Sequence, residues 1–173
     1  MGSQLTIIIL RLIHIVGGVF WVGAMVTLAR FVLPSVAALG PAGGAVMREI
    51  GQVRKLPIAM NFAGLFTILS GFGLYWQMES LSNHTFSRSA TGMTFGLGGL
   101  IALIAAVIAN VVTRPTAQRM IAVGTTISTQ STPATPAQQA ELGQLREKMR
   151  KVTAVVAGML MLTTMLMAVA RYI

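Results

Sequence analysis

His14 lies inside the first long apolar run of this chain, three residues after Arg11. An imidazole in a hydrocarbon layer is costly unless its ring nitrogens find partners, so its presence asks for an explanation. Within the apolar runs it is the only side chain that offers an imidazole nitrogen to a proton or a metal. On a helix His14, Gly17, Gly18 and Trp21 fall at i, i+3, i+4 and i+7 and share one face. Glycines there let another helix, or a flat ring, approach the backbone closely. Such a face could form the wall of a porphyrin site. His14 would be the metal ligand, Gly18 the point of close approach and Trp21 a packing surface. Arg11, one turn outward, could pair with a propionate. Near the other end of the chain Met167 and Arg171 repeat the arrangement. By helical rise His14 lies about 4.5 Å below Arg11 and Met167 about 6 Å below Arg171, so imidazole and thioether could share a depth. Met93, Met161, Met165 and His84 are further candidates for a second ligand.

Each of these residues also has a purely structural reading. A membrane histidine can simply hydrogen-bond between helices. Methionines at helical spacing are usually core filler. Arg11 and Arg171 are ordinary interface anchors whose aliphatic stems lie in lipid. Gly92, Gly96 and Gly99 read as a packing face, and Asn61 and Asn110 as inter-helix or backbone hydrogen-bonding groups. His84, between Asn83 and Thr85, reads as solvated.

The elements that must position these side chains follow from composition. The chain has 173 residues, of which 54% are hydrophobic and 10% charged, with a mean hydropathy of +0.75. A soluble domain carries about 25% charged residues. Four runs are long enough to cross a hydrocarbon core of about 30 Å: residues 5–33, 56–77, 93–113 and 152–170. Arg11 and Arg30 bracket the first, and Tyr75 and Trp76 close the second as an interfacial aromatic pair. The first run is too long for a signal-peptide core and is expected to be retained. The expectation is an all-α fold: one integral-membrane four-helix bundle of residues 1–173, up-down-up-down, with cytoplasmic helical extensions.

Ten of the basic residues fall in the connections 34–55 and 114–151 or at their edges, against Arg88 and Arg171 in the opposite layer. The positive-inside rule then places those two connections in the cytoplasm and both termini outside. The same distribution assigns the net charge of +9 to membrane topology rather than to nucleic-acid binding. Thr135-Pro136-Ala137-Gln138 has the pattern of an N-cap, a proline at N1 and a capping-box glutamine. It predicts that the fourth helix begins near Pro136 and protrudes from the membrane. The stretch from Gly124 to Thr135 reads as the preceding turn, and residues 43–53 as a short amphipathic piece ended by Pro57.

Several chemistries are excluded. There is no cysteine, and none of the four acidic residues, Glu49, Glu79, Glu141 and Glu147, lies in a spanning run. A carboxylate proton relay is therefore missing, as are the acid member of a serine triad and a phosphate-binding glycine loop ending in lysine.

The segment Leu12-Ile-His-Ile-Val-Gly-Gly-Val-Phe-Trp-Val-Gly-Ala-Met25 resembles the first helix of a group of bacterial four-helix membrane proteins. That group includes the copper-resistance CopD-like domain, the HemJ-type protoporphyrinogen oxidases and uncharacterised relatives. The ending Met167-Ala-Val-Ala-Arg-Tyr172 is similar to the uncharacterised relatives. The resemblance implies a multi-pass protein of the bacterial inner membrane. In the HemJ-type proteins the corresponding histidine is linked to haem b, which here points to His14. The lysine that those enzymes carry in a later helix has no counterpart in any spanning run, so oxidase activity is not expected. The CopD-like likeness implies copper held by His14, Met161 and Met165.

Three readings stand side by side. One is a haem b protein with His14 as axial ligand and an electron-transfer or accessory role. Another is a cofactor-free accessory or scaffold subunit of a larger membrane complex, or a homodimer. The third is copper handling, with ligation of a chlorophyll-type magnesium as a weaker variant. The lipid bilayer is a partner in all of them.

Overall fold

A computed structural model describes residues 2–173, all helical or in short connections. The helices are α1 (Gly2–Thr27), α2 (Leu33–Ala38), α3 (Gly43–Arg48), α4 (Leu56–Leu81), α5 (Ala90–Ile108), α6 (Arg114–Thr129) and α7 (Pro136–Val169). No strand occurs among the described residues. Four helices are long and apolar enough to cross a membrane, and they pack as a bundle. Their burial pattern suits lipid. Buried positions are mostly small or hydroxylic, such as Ala102, Ala105, Thr67, Ser70 and Thr163. Large apolar side chains such as Leu12, Val19, Phe66, Leu100 and Leu162 point outward. Without a hydrophobic force between helices in lipid, close approach of small residues does the packing.

The chain divides into two compact units. The first comprises residues up to Ala24, Pro57–Ala106 and Gly158–Ile173. Here α1 and α4 run antiparallel: Leu10 packs on Gly73, His14 on Gly71 and Trp21 on Gly64. The α5 helix meets α4 through Tyr75, whose hydroxyl donates to the Gly92 carbonyl at 3.2 Å. It meets α7 at Gly98, whose carbonyl accepts the Thr163 hydroxyl at 3.2 Å. The expected packing face of α5 is therefore corrected at one position. Gly96 faces Tyr75 of α4 and Gly92 packs on the Phe86–Ser87 backbone of the preceding loop, but Gly98 rather than Gly99 faces α7, and Gly99 has open space beside it. The expectation for Asn61 fails too: it is exposed on α4 and makes no hydrogen bond among the described residues.

The second unit comprises Met25–Leu56 and Val107–Ala157. The predicted run ends at residues 33 and 113 do not stop the helix. Each is followed by a proline, Pro34 or Pro115, in the first turn of α2 or α6. In both cases a π-helical turn precedes it, Leu28–Val32 or Ala109–Thr113. The residue before the proline donates its N–H five residues back, Leu33 to Leu28 and Arg114 to Ala109. A proline has no N–H to give and its ring crowds the preceding turn. The wider turn absorbs both problems, so the helical path continues to Ala38 and Thr129. The turn between α6 and α7 is correspondingly shorter than the composition of residues 124–135 suggested.

The start of α7 follows the capping expectation. The Gln138 N–H donates to the Thr135 hydroxyl at 3.2 Å, and Gln138 Oε1 accepts the Thr135 N–H at 2.9 Å. Two orphan donors are thereby satisfied reciprocally. Gln130 and Gln138 exchange amide hydrogen bonds across the turn, and Arg119 pairs with Glu141 at 2.6 Å. Residues 43–53 form α3 and a π turn, so the connection is helical as expected.

Candidate functional site

His14 is half-buried on α1, and its Nδ1 lies 2.8 Å from the backbone carbonyl of Thr67 on α4. A carbonyl only accepts, so Nδ1 carries the proton, and in the neutral ring Nε2 keeps its lone pair. Nε2 makes no hydrogen bond among the described residues. The same Thr67 carbonyl accepts the Ser70 hydroxyl at 3.1 Å. Gly71 makes room for the ring: a methyl group there would lie 2.8 Å from Cε1 and 3.1 Å from Nδ1. This is the arrangement that orients a metal-binding imidazole, in which one nitrogen is tied to a carbonyl and the other is left bare.

The rest of the expected face packs on α4. A methyl group on Gly17 would lie 2.7 Å from the Thr67 hydroxyl oxygen and 3.2 Å from the Ala63 carbonyl oxygen, and one on Gly18 would lie 3.6 Å from Thr67 Cγ2. Trp21 is only 5% exposed, its ring over Gly64. The shared face of His14, Gly17, Gly18 and Trp21 is therefore real, and its neighbour is a helix.

Met167 is half-buried with its methyl against Gly98 of α5. Met161 and Met165 of α7, and Met93 of α5, are exposed. Arg11 and Arg171 are exposed and form no ion pair among the described residues. His84 is exposed in the loop after α4 with φ of 62°, next to Asn83 at 50°. No three His, Cys, Asp or Glu side chains gather as a metal site among the described residues.

As a haem ligand set the fit rests on His14, whose bare Nε2 is suited to iron. Arg11, one turn away on α1 and exposed, would be the charge available to a propionate. Trp21 and Gly18 are committed to helix packing. Sequence reasoning missed the groups that set the histidine, Thr67, Ser70 and Gly71, and the Gly64 that seats Trp21. Their signal was available as small residues at 64, 67 and 71 on the second span, the spacing of a close helix contact.

The chain matches no family model, no curated protein and no solved structure.

Proposed function

We infer that this small integral membrane protein binds haem b through Nε2 of His14 and serves electron transfer or an accessory role in a larger membrane assembly. The single observation behind the reading is the Nδ1–H bond from His14 to the Thr67 carbonyl. It fixes the tautomer and ring orientation and leaves one nitrogen lone pair unspent in a half-buried position. A bound haem would supply one-electron chemistry. The protein's part is to hold the imidazole, through Thr67 and the space at Gly71, and the exposed Arg11 guanidinium would be available to pair with a propionate. The resemblance of the first helix to the HemJ-type proteins points the same way. The protein is taken to sit in the bacterial inner membrane with both termini outside.

The packing of Gly17, Gly18 and Trp21 on α4 favours a second reading, a cofactor-free accessory subunit in which His14 only links two helices. The absorption spectrum of the detergent-extracted protein separates the two. Under the haem reading a Soret band is present, His14→Ala abolishes it and Arg11→Ala weakens haem retention. A colourless wild-type protein refutes the haem reading. His14→Ala is then expected to cost the bundle about 0.6–2 kcal/mol, the scale of inter-helix hydrogen bonds in lipid.

A further inference from the structure

The α7 helix changes character abruptly at Val152. Before it the helix is dense in charge, with Arg146, Glu147, Lys148, Arg150 and Lys151; after it the apolar run begins. Two adjacent ridges, Gly143–Glu147–Lys151 and Gln144–Lys148–Val152, border a shallow trough open to the surface along this one helix. Gly143 leaves space there, with no atom within 4 Å of where a methyl group would stand.

The charges around the trough do not cancel. The Glu147 carboxylate accepts from Arg150 Nε at 2.8 Å and Nη2 at 2.7 Å, and Lys151 Nζ approaches to 3.4 Å. One carboxylate thus faces two cations, and a third, Lys148, has no carboxylate partner among the described residues. One end of the trough is therefore cationic. The other end is hydrocarbon: Val152 lines it, and Val155, one turn further on, is 56% exposed.

A ligand that satisfies both ends carries a phosphate joined to acyl chains. We propose that this trough binds the head group of an anionic phospholipid, its phosphate between Lys148 and Lys151 and its first methylenes on Val152 and Val155. Free phosphate shares the charge but has nothing to place on the valines. Zwitterionic lipid has the chains but carries its own cation beside the phosphate. The inference does not depend on haem; it rests only on α7 entering a bilayer at Val152.

The test uses the full-length protein in a neutral detergent, titrated with short-chain phosphatidylglycerol, short-chain phosphatidylcholine and inorganic phosphate, with bound lipid read by native mass spectrometry. Phosphatidylglycerol is expected to bind in preference to the other two. Lys148→Gln with Lys151→Gln is expected to weaken it roughly thirtyfold, the loss of two juxtamembrane lysines. Arg48→Gln with Lys55→Gln removes the same charge elsewhere in the second unit and is expected to leave binding nearly unchanged. Equal loss in both double variants would reduce the effect to net charge and overturn the proposal. So would equal binding of phosphatidylcholine, or inorganic phosphate competing as well as the lipid.

Discussion

At the scale of single residues, the imidazole of His14 is held by what α4 lacks as much as by what it offers. The Thr67 carbonyl takes the proton-bearing nitrogen, and the missing side chain at Gly71 gives the ring its place. Gly71→Ala is therefore expected to displace the ring, break the Nδ1–H bond and destabilise the bundle by about 1–3 kcal/mol, the usual cost of overpacking. Gly23→Ala and Gly99→Ala, with nothing within 4 Å, are the contrast. They are expected to be neutral or stabilising by up to about 1 kcal/mol through helix propensity. Thermal unfolding in detergent, with the ring nitrogens followed by NMR, measures both. An unchanged Nδ1–H signal in Gly71→Ala would refute this account. The shared face of His14 and Trp21 was legible from spacing alone. Its partner was not, because the second and third spans both carry small residues at helical intervals. The choice between them is made by shape across the interface, which a single-sequence pattern does not encode.

At the scale of elements, the capping box was legible because its chemistry is local: Thr135, Pro136 and Gln138 specify the start of α7 within four positions. Thr135→Ala is expected to cost about 0.5–2 kcal/mol by leaving first-turn N–H groups unpaired. Greater protease sensitivity near residues 130–138 would report it, and unchanged digestion would contradict it. The continuations past Pro34 and Pro115 were not legible. Proline ordinarily ends a helix, and nothing in the apolar periodicity announces a π turn that accommodates one. The exposed part of α7 also carries a pH signature. Hydrogen bonding to Arg150 holds the Glu147 carboxyl at about 2, against an ordinary 4.5. A depressed carboxylate stabilises the fold fully above its unfolded value and loses that contribution as pH falls through the folded one. Stability of this segment should be level from neutrality to about pH 5 and should decline between about 4.5 and 2. Salt should blunt the decline, because the pair is exposed. Helicity by circular dichroism, compared with Glu147→Gln, measures it. An identical acid profile in the variant would rule out Glu147 as the cause.

At the scale of the whole molecule, the membrane reading rests on two independent patterns. One is the inversion of the burial pattern, with small residues inside and large apolar ones outside. The other is charge. The second unit holds ten basic and three acidic residues, whereas the first holds Arg11, Arg88 and Arg171 against Glu79. Arginine and lysine resist translocation, so short connections rich in them stay in the cytoplasm. That physics predicts Ser128, in the connection between the third and fourth spans, on the cytoplasmic side and Ile173 on the other. A reporter enzyme active only in the periplasm should work when fused after Ile173 and fail when inserted near Ser128; a cytoplasm-only reporter should do the reverse. The opposite pair of results would invert the orientation. It would also move the Lys148–Lys151 trough to the outer leaflet and Arg11 to the inner one, while leaving the His14–Thr67 bond untouched. The bond is set by helix packing, and the orientation by where the charges lie.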